Sequence, residues 1–379
     1  MKKVLILTTI GGFLQQFEMN DVAALQELGY EVHYASNFHH PVYDMDMDIM
    51  REKGIHLHHI DIQKSPAHLF YNMRALRQLL KIIKKEQIHV FHLHNPLGGV
   101  LGRVVSFFYK DTERYIIYTA HGFHFYTGAP KLNWLLYYPI ERLLGKRTNC
   151  LITINQEDYH RGKGFSLKSP GKVVRIPGVG VDIKKFSPTV GKRKEMRDKY
   201  KVSEDTFYIL SVGELNHNKN HEVILHAMAI LKDKRIHYSI CGTGYHEEYL
   251  KNLAAKLGLE EQFTLFGYKK NIPEMLQLAD CFAFPSIREG FGIAAIEALA
   301  GGIPLITSDC RGTREYMEDG INGCICQSGS AEEYAQIIRT LIDNPSKRED
   351  MKKACMKKAM DFDMARTNGI MKQVYKELP

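Results

Sequence analysis

Two glutamates eight residues apart form the most informative chemical pattern in the chain. Glu289 and Glu297 stand in the segment 285–298, which follows an apolar strand pattern and carries Gly290 and Gly292 just before a helical pattern. Backbone N–H groups at a helix N-terminus favour phosphate, and carboxylates accept hydrogen bonds from sugar hydroxyls. The segment predicts a site for a phosphorylated, hydroxyl-bearing ligand. The alternative is a glycine-rich turn followed by a solvent-exposed helical glutamate.

A lysine follows a second predicted strand. In the segment 211–220 the apolar run ends near Gly213, and Lys219 stands just before a helical pattern. A bound diphosphate needs a fixed cation, and Lys219 is placed to supply it. The alternative is a solvated lysine, although the helix dipole makes a cation slightly unfavourable at that end.

Two further loops follow strands in the first half of the chain. His121 comes directly after an apolar run, so we expect it at the carboxyl edge of a sheet, where α/β proteins bind ligands. Gly11 and Gly12 follow the first strand but lack the Gly-x-Gly-x-x-Gly spacing of dinucleotide sites. The missing fingerprint argues against a dinucleotide-dependent oxidoreductase. A lone loop histidine and a simple turn remain the alternatives.

Short apolar runs alternate with amphipathic segments throughout the chain, which indicates parallel α/β architecture. Strands are predicted at 4–8, 32–36, 90–93, 115–119 and 151–154, and again at 207–212, 238–241, 263–266, 281–284 and 304–307. Helices are predicted at 68–85, 221–231, 247–257, 293–300 and 331–342. The pattern thus predicts two Rossmann-like domains, at 1–186 and 187–362.

The segment 285–298 resembles the Glu-x7-Glu motif of the retaining, metal-independent glycosyltransferases of family 4, also called group 1. The passage 300–306 resembles the helix-stop-strand segment of that family, and its downstream pattern matches Gly312, Glu315, Gly320, Asn322 and Gly323. The resemblance is specific over 205–330 and looser before it. It implies the GT-B fold, in which two Rossmann-like domains with parallel sheets face each other across a cleft. It also implies a nucleotide-sugar donor, retention of configuration, and a C-terminal helix, 363–379, that joins the first domain.

The resemblance also implies residue roles. Glu289 would contact hydroxyls of the donor sugar and Glu297 the ribose, and His121 would approach the donor sugar. Together with Lys219, Glu289 and His121 form the predicted catalytic set. The other residues predicted to bind the donor are Gly290, Phe291, Gly292, Gly11, Gly12, Gly213, Arg288 and Tyr268.

Glu214 departs from the family pattern, which has an arginine at this position to assist the lysine on the phosphates. Either Lys219 acts with backbone amides alone, or another cation such as Arg288 substitutes for the arginine.

The whole net charge of +8 lies in the first 190 residues, which indicates an anionic partner for that half. An anionic membrane surface or a phospholipid headgroup fits this charge, whereas a nucleic acid partner lacks any accompanying recognition motif. The segment 133–147 is apolar and aromatic and ends in basic residues. It predicts either an interfacial helix near a lipid-linked acceptor or a core helix of the first domain.

The compartment and the metal requirement are predicted from sequence features that are missing: a membrane-spanning run, paired cysteines and a calcium-loop pattern. The seven cysteines are scattered, and no apolar run reaches the ~20 residues that span a bilayer. We therefore expect a cytoplasmic protein with free thiols. Asp44, Asp46 and Asp48 form an Asp-x-Asp run, but Ile49 and Ile55 occupy the positions where a calcium loop needs Gly and Glu. A solvated acidic loop is predicted, and no metal or other cofactor is expected.

The resemblance to family 4 implies a glycosyltransferase of surface polysaccharide biosynthesis. It would move a hexose or N-acetylhexosamine from a UDP-sugar to a glycan acceptor linked to undecaprenyl diphosphate, at the inner face of the cell membrane. Two alternatives remain open. One is a sugar-nucleotide 2-epimerase of the same fold, and the other is a non-catalytic sugar-nucleotide-binding partner in a polysaccharide assembly complex.

Overall fold

The computed structural model describes residues 2–39, 41–108 and 114–379, which form two compact units. The N-unit comprises Met1–Val179 and Ala365–Pro379, and the C-unit comprises Gly180–Met364. The chain therefore leaves the first unit once and returns to it with its last helix.

The N-unit is built on a parallel sheet of seven strands: β1 (Lys3–Leu7), β2 (Glu31–Ser36), β3 (His56–His59), β4 (Val90–His94), β5 (Tyr115–Ala120), β6 (Cys150–Thr153) and β7 (Lys172–Arg175). Their spatial order is β3-β2-β1-β4-β5-β6-β7. The helices are α1 (Met19–Glu27), α2 (Met47–Glu52), α3 (Leu69–Glu86), α4 (Pro96–Val105), α5 (Lys131–Gly145) and α6 (Gln156–Lys163), with a π-helical turn at Leu14–Glu18. This is the strand order of a Rossmann sheet with one added strand.

The C-unit begins with α7 (Ile183–Phe186) and α8 (Lys192–Lys199). Its parallel strands are β8 (Phe207–Val212), β9 (Ile236–Cys241), β10 (Phe263–Leu265), β11 (Cys281–Phe284), β12 (Leu305–Ser308) and β13 (Gly323–Cys326). They lie in the order β10-β9-β8-β11-β12-β13. The helices are α9 (Glu222–Leu231), α10 (Glu247–Lys256), α11 (Ile272–Leu276), α12 (Ile293–Ala300), α13 (Ala331–Asp343) and α14 (Pro345–Ala359).

The last helix, α15 (Met364–Lys376), packs in the N-unit through buried polar contacts. The Tyr375 hydroxyl donates to Asp21 at 2.7 Å and lies 2.9 Å from Nδ1 of His92. Lys372 pairs with Glu27 at 2.7 Å on the surface. These contacts tie the C-terminus to α1 and to the centre of the N-unit sheet.

The central strands of both sheets are continuous apolar runs, because helices cover both faces of a parallel sheet. Leu5 and Leu93 are fully buried in the N-unit, as are Ile209, Ile240 and Ile306 in the C-unit. The predicted α/β class with two parallel sheets is therefore confirmed. All seven cysteines are buried and have free thiols.

Among the elements that the sequence missed, β3, β7 and α14 share a reason. The strands β3 and β7 lie at the edges of their sheet and are at most partly buried, so neither presents an apolar run. The helix α14 buries only Met351, Cys355 and Ala359, so its sequence is mostly charged. In α3 the apolar spacing predicted a buried face, but Leu69 and Met73 at its start are exposed.

Candidate functional site

Lys219 and Glu289 form an ion pair in the C-unit, with Nζ 2.7 Å from Oε2. Each side chain is 19% exposed. The Lys219 ammonium also lies 4.8 Å from the centre of the Phe284 ring, within the range of a cation–π contact. The pair thus packs beside the Phe284 ring but remains partly open to solvent, and it presents a cation and a carboxylate at one point.

The loop after β8 positions the lysine. The Asn216 side chain accepts a hydrogen bond from the Lys219 backbone N–H at 3.0 Å and so caps the short 3₁₀ turn His217–Lys219. A Cβ at Gly213 would lie 3.3 Å from Cε of Lys219. The absence of a side chain at Gly213 therefore leaves the room that the lysine stem occupies.

The loop that carries Glu289 is held from two directions. The Ile287 N–H donates to the Asn218 carbonyl at 2.8 Å, and the Asn218 side-chain amide donates to the Arg288 carbonyl at 2.9 Å. From the other side, the Gly312 N–H donates to the Glu289 carbonyl at 3.1 Å. The backbone at Glu289 is therefore set by neighbouring loops before any ligand arrives.

The N-terminus of α12 lies next to this pair and lacks a side-chain cap. Its N-cap residue, Gly292, has φ 90°, a left-handed conformation that other residues rarely adopt. A Cβ there would also lie 2.7 Å from the Phe284 ring and 2.9 Å from the Tyr316 hydroxyl. The uncapped first-turn amides and the helix dipole are suited to an anion such as a diphosphate.

The other predicted donor residues of the C-unit differ in what they expose. Phe291 is buried, with its ring 5.5 Å from that of Phe362, so only its backbone is available to a ligand. Tyr268 and Arg288 are exposed, and Arg288 makes no ion pair within the described residues. Glu214, where the family pattern has arginine, is also exposed.

Glu297 lies on α12, partly buried. Burial raises the pKa of its carboxyl to about 7, and the charge of Lys185 only partly opposes this shift. A carboxyl that titrates near neutral pH can change between accepting and donating hydrogen bonds. Glu289 and Glu297, which the motif pairs, therefore differ in environment: one is salt-bridged and the other is desolvated.

In the N-unit, His121 belongs to a cluster with His94 and Glu18. Nε2 of His121 lies 3.1 Å from Nδ1 of His94, which in turn lies 3.4 Å from Oε1 of Glu18. The Phe13 ring meets that of His121 edge-on at 5.1 Å. Among the described residues, these three side chains bring one potential metal-ligand atom each within 4.8 Å of one another.

Gly11 and Gly12 allow a close approach of two loops near this cluster. The Val42 N–H donates to the Gly11 carbonyl at 3.2 Å. Gly12 has φ 83°, and a Cβ there would lie 2.4 Å from the Tyr43 carbonyl oxygen. The close approach of the two backbone segments therefore requires glycine at both positions, whether or not a ligand also contacts them.

Burial keeps the histidines of this region neutral. It lowers the pKa of His121 to about 4 and that of His92 to about 3, and it lowers the pKa of His94 as well. Burial also raises the pKa of Glu18, and the neighbouring Asp21 adds to that rise. The centre of the N-unit site is thus a network of mostly uncharged groups.

Sequence reasoning missed Glu18 and Asp21. Both are buried, and Asp21 accepts the hydrogen bond of Tyr375, whose hydroxyl also contacts His92. His92 continues the network to Thr119 at 2.9 Å. No spacing in the sequence links positions 18, 92 and 375, because only the fold brings them together.

A cavity of about 400 Å³ opens beside this network within the N-unit. Apolar side chains form most of its wall, among them Leu97, Val100, Phe123, Phe125 and Ile140. Tyr118 and Glu141 form a polar part of the wall. Glu141 is held by a two-point ion pair with buried Arg103, at 2.8 and 3.1 Å, and the Arg103 guanidinium lies 4.0 Å from the centre of the Tyr118 ring.

The helix α5 has two apolar faces. Trp134, Tyr137 and Tyr138 pack against the core of the N-unit, as expected of a core helix. The opposite side exposes Leu132, Leu135, Leu136, Ile140 and Leu143, and Leu135 is 72% exposed. Such a contiguous exposed apolar face indicates an interaction surface. The buried face agrees with the core-helix alternative, and the interfacial alternative for the exposed face stays a prediction.

The acidic run of the N-unit has a structural role. Asp46 caps α2 by accepting from the backbone N–H groups of Asp48 and Ile49, each at 3.0 Å. Asp48 pairs with Arg51 at 2.7 Å on the surface. The acidic side chains are exposed as predicted, but the run is not wholly a loop, because Asp46 caps α2 and Asp48 lies in its first turn.

The helices of the described part of the chain lie within residues 2–39, 41–108 and 114–379. Each helix there is either too short or too polar to cross a bilayer.

The chain matches two family models, Glycosyl transferase 4-like over residues 3–155 and Glycosyl transferases group 1 over residues 192–358. A Bacillus subtilis (strain 168) protein that carries the name glycosyltransferase EpsD is 36% identical over 377 residues, covering 99% of this chain and 96% of its own. An Escherichia coli UDP-Gal:alpha-D-GlcNAc-diphosphoundecaprenol alpha-1,3-galactosyltransferase is 26% identical, covering 81% of this chain and 80% of its own. The capsular polysaccharide biosynthesis glycosyltransferase CapM of Staphylococcus aureus is 24% identical, covering 81% and 83%.

Solved structures agree on the fold. Anabaena Alr3699/HepE in complex with UDP superposes with a TM-score of 0.79 at 18% identity, covering all of both chains. WaaG, a glycosyltransferase of lipopolysaccharide biosynthesis, superposes with a TM-score of 0.76 at 18% identity, covering 99% of this chain and all of its own. The two Rossmann-like units are those of the GT-B fold, and the chain belongs to the group 1 family of glycosyltransferases.

Proposed function

We propose that this chain transfers a hexose or N-acetylhexosamine from a UDP-sugar to a lipid-linked glycan acceptor, with retention of configuration and without a metal, in surface polysaccharide biosynthesis. The observation that carries the proposal is the Lys219–Glu289 ion pair beside the uncapped N-terminus of α12. Cationic, anionic and amide groups at one point match a ligand that has both a diphosphate and sugar hydroxyls. The names of the E. coli and S. aureus relatives support the acceptor and the pathway.

In this proposal the C-unit binds the donor. Lys219 and the amides of Gly290–Gly292 hold the diphosphate, Glu289 accepts from the sugar hydroxyls and Glu297 accepts from the ribose. Gly213 leaves room for the lysine, Tyr268 borders the nucleobase, and exposed Arg288 supplies the second cation that Glu214 does not. His121, with Gly11 and Gly12, contributes from the N-unit.

The proposed reaction breaks the bond between the anomeric carbon and the UDP oxygen. The acceptor oxygen bonds to that carbon on the same face, and its proton passes to the departing diphosphate, which leaves as UDP. The task of the protein is to orient the reactants and to stabilise the negative charge that grows on the diphosphate. Lys219 serves this task directly, because its position is set before the charge develops.

The N-unit would bind the acceptor. The apolar cavity beside Tyr118 and Glu141 suits the part of an acceptor next to its lipid, and α5 lines it with Ile140 of its exposed face and Tyr137 of its core-facing side. The excess positive charge of the first 190 residues favours an anionic membrane surface. We therefore propose that the enzyme works at the inner face of the cell membrane, with α5 as its peripheral contact.

The donor part is tested with a panel of UDP- and GDP-sugars in chelator. We expect one UDP-sugar to raise the melting temperature, because a ligand at about 100 times its Kd stabilises the folded state by about 2.7 kcal/mol. The same sugar should be transferred to a diphosphate-linked lipid acceptor with its anomeric configuration kept. Full dependence on added manganese would contradict the proposal. So would epimerisation of the donor without an acceptor, or binding without transfer.

The membrane part is tested by sedimentation with vesicles that contain an anionic phospholipid. The double variant Leu135→Ser, Leu136→Ser should bind at least about tenfold more weakly, because each leucine that enters the interface contributes about 1.5–3 kcal/mol. The matched control is Ile230→Ser, which removes an exposed apolar side chain of the C-unit. If both variants lost vesicle binding equally, or if neither lost it, α5 would not be the membrane contact.

A further inference from the structure

We propose that Glu18, His94 and His121 form a binding site for a divalent transition ion of the zinc class, and that the bound ion inhibits the enzyme. The three side chains come from the π-helical turn, from the end of β4 and from the loop after β5. They are therefore brought together by three separate segments around the carboxyl edge of the N-unit sheet.

Two of the three ligand–ligand distances are close to those of a metal polyhedron. The edge between His121 Nε2 and His94 Nδ1 is 3.1 Å, and that between His94 Nδ1 and Glu18 Oε1 is 3.4 Å. Metal–ligand bonds of 2.0–2.2 Å in a tetrahedral zinc site imply ligand–ligand edges of roughly 3.3–3.6 Å. The ligand atoms of the third pair, His121 and Glu18, lie within 4.8 Å of each other, so a bound ion would draw these two side chains together.

The ligand types select the ion. Two imidazole nitrogens and one carboxylate oxygen form a ligand set that favours zinc, cobalt or nickel over magnesium or calcium, which prefer all-oxygen sites. Three protein ligands leave a fourth position open. His121 is only partly buried, so an ion can reach the cluster from its side.

The surroundings support the cluster without perfecting it. The Glu18 carboxyl donates to Asp21, which also accepts from the Tyr375 hydroxyl at 2.7 Å, so Glu18 is fixed from behind and would release its proton when an ion binds. Nε2 of His94 is buried and has no hydrogen-bond partner among residues 2–39, 41–108 and 114–379. Because a metal-bound histidine usually donates its second N–H to a partner, we expect micromolar rather than nanomolar affinity.

Binding would inhibit because it uses Nε2 of His121, the side chain that we propose near the donor sugar. This effect on activity depends on the proposed function, whereas the binding itself does not. An ion here would not take part in transfer, so the expected activity in chelator still holds.

The test uses purified, chelator-treated full-length protein and Co²⁺ as a spectroscopic probe. We expect one equivalent of Co²⁺ to bind, with the visible absorption bands of a low-symmetry site, and Zn²⁺ to displace it. Glu18→Gln and His94→Gln should each weaken binding by at least about tenfold, as loss of metal-site residues does. Thermal unfolding of each variant checks that it is folded. If His94→Gln does not fold, Glu18→Gln alone carries the test.

A second histidine cluster provides the control. His56 shares Glu31 with His33 near the amino-terminal ends of β2 and β3. The distances to the Glu31 carboxylate are 3.4 Å from His56 and 2.9 Å from His33. His56→Asn should leave the stoichiometry and the spectrum unchanged. Loss of binding in His56→Asn, or unchanged binding in both cluster variants, would overturn the proposal. Zn²⁺ should lower the transfer rate of the wild type but not its UDP affinity, and a failure of donor binding in chelator would concern the proposed function alone.

Discussion

The C-unit and the N-unit hold their candidate site residues by different physical means. In the C-unit, Lys219 and Glu289 are paired charges, partly open to solvent, on loops that clamp each other through backbone hydrogen bonds. In the N-unit, His121 belongs to a buried network of His94, Glu18 and His92 in which desolvation suppresses charge. The comparison teaches that one unit is suited to binding an anion and the other to placing neutral hydrogen-bonding groups.

The largest expected effect concerns the charged pair. Lys219→Ala should lower the transfer rate by about 10³-fold, because the growing charge on the diphosphate loses its fixed cation. Glu289→Ala should be similarly severe, because the sugar hydroxyls lose their acceptor. Steady-state kinetics measures both. Lys251→Ala, which removes a surface lysine paired with Glu247, is the control and should be neutral. Turnover at the wild-type rate in either site variant would refute the assignment of the pair.

Next in size is the buried ion pair of the N-unit. Arg103→Met should destabilise the fold by about 3 kcal/mol, because it leaves the Glu141 carboxylate buried without its partner. Calorimetry of the N-unit transition measures the loss. The double variant Arg103→Met, Glu141→Leu should recover part of it. The exposed ion pair of Arg51 and Asp48 is the comparison. Arg51→Ala should lower the free energy of unfolding by no more than about 0.5 kcal/mol.

The pH dependence of stability tests whether desolvation also shifts the pKa of a site residue in the C-unit, namely Glu297. Its folded pKa of about 7 lies above the ordinary value of 4.5, so the folded state binds more protons than the unfolded state between these two pH values. The contribution of Glu297 to the free energy of unfolding is complete below about pH 4.5. It is lost as pH rises through 7, and the loss is at most about 3 kcal/mol. Glu297→Gln should therefore flatten the dependence of melting temperature on pH between about 5 and 8. An unchanged slope in the variant would show that another group titrates there.

The smallest expected effect separates the two units functionally. His121→Ala should slow transfer by about tenfold, the size of one lost hydrogen bond, while UDP affinity stays within about twofold. Isothermal titration with UDP and a transfer assay on the same preparation measure both quantities. A parallel loss of UDP affinity would mean that His121 contributes to the nucleotide site, and the contrast between the units would fail.

The predictable parts of the structure are those in which one segment carries the signal by itself. The central strands were predicted because both of their faces are buried and their sequences are continuously apolar. The edge strands β3 and β7 were missed because they are short and their sequences, HLHH and KVVR, are rich in polar residues. The glutamates of the motif and Lys219 lie in loops after strands, where the type of residue already indicates the chemistry.

The sequence by itself determined the α/β class, the two parallel sheets and the loop residues that carry charge, because burial periodicity and strand-to-helix loops are local properties. Only the tertiary structure decided that Lys219 and Glu289 pair, that Glu18 and Asp21 are buried beside His94 and Tyr375, and that α5 exposes one apolar face while burying another. The physical reason is that desolvation and ion pairing depend on neighbours that are distant in the chain. Position 375 meets positions 21 and 92 through packing alone.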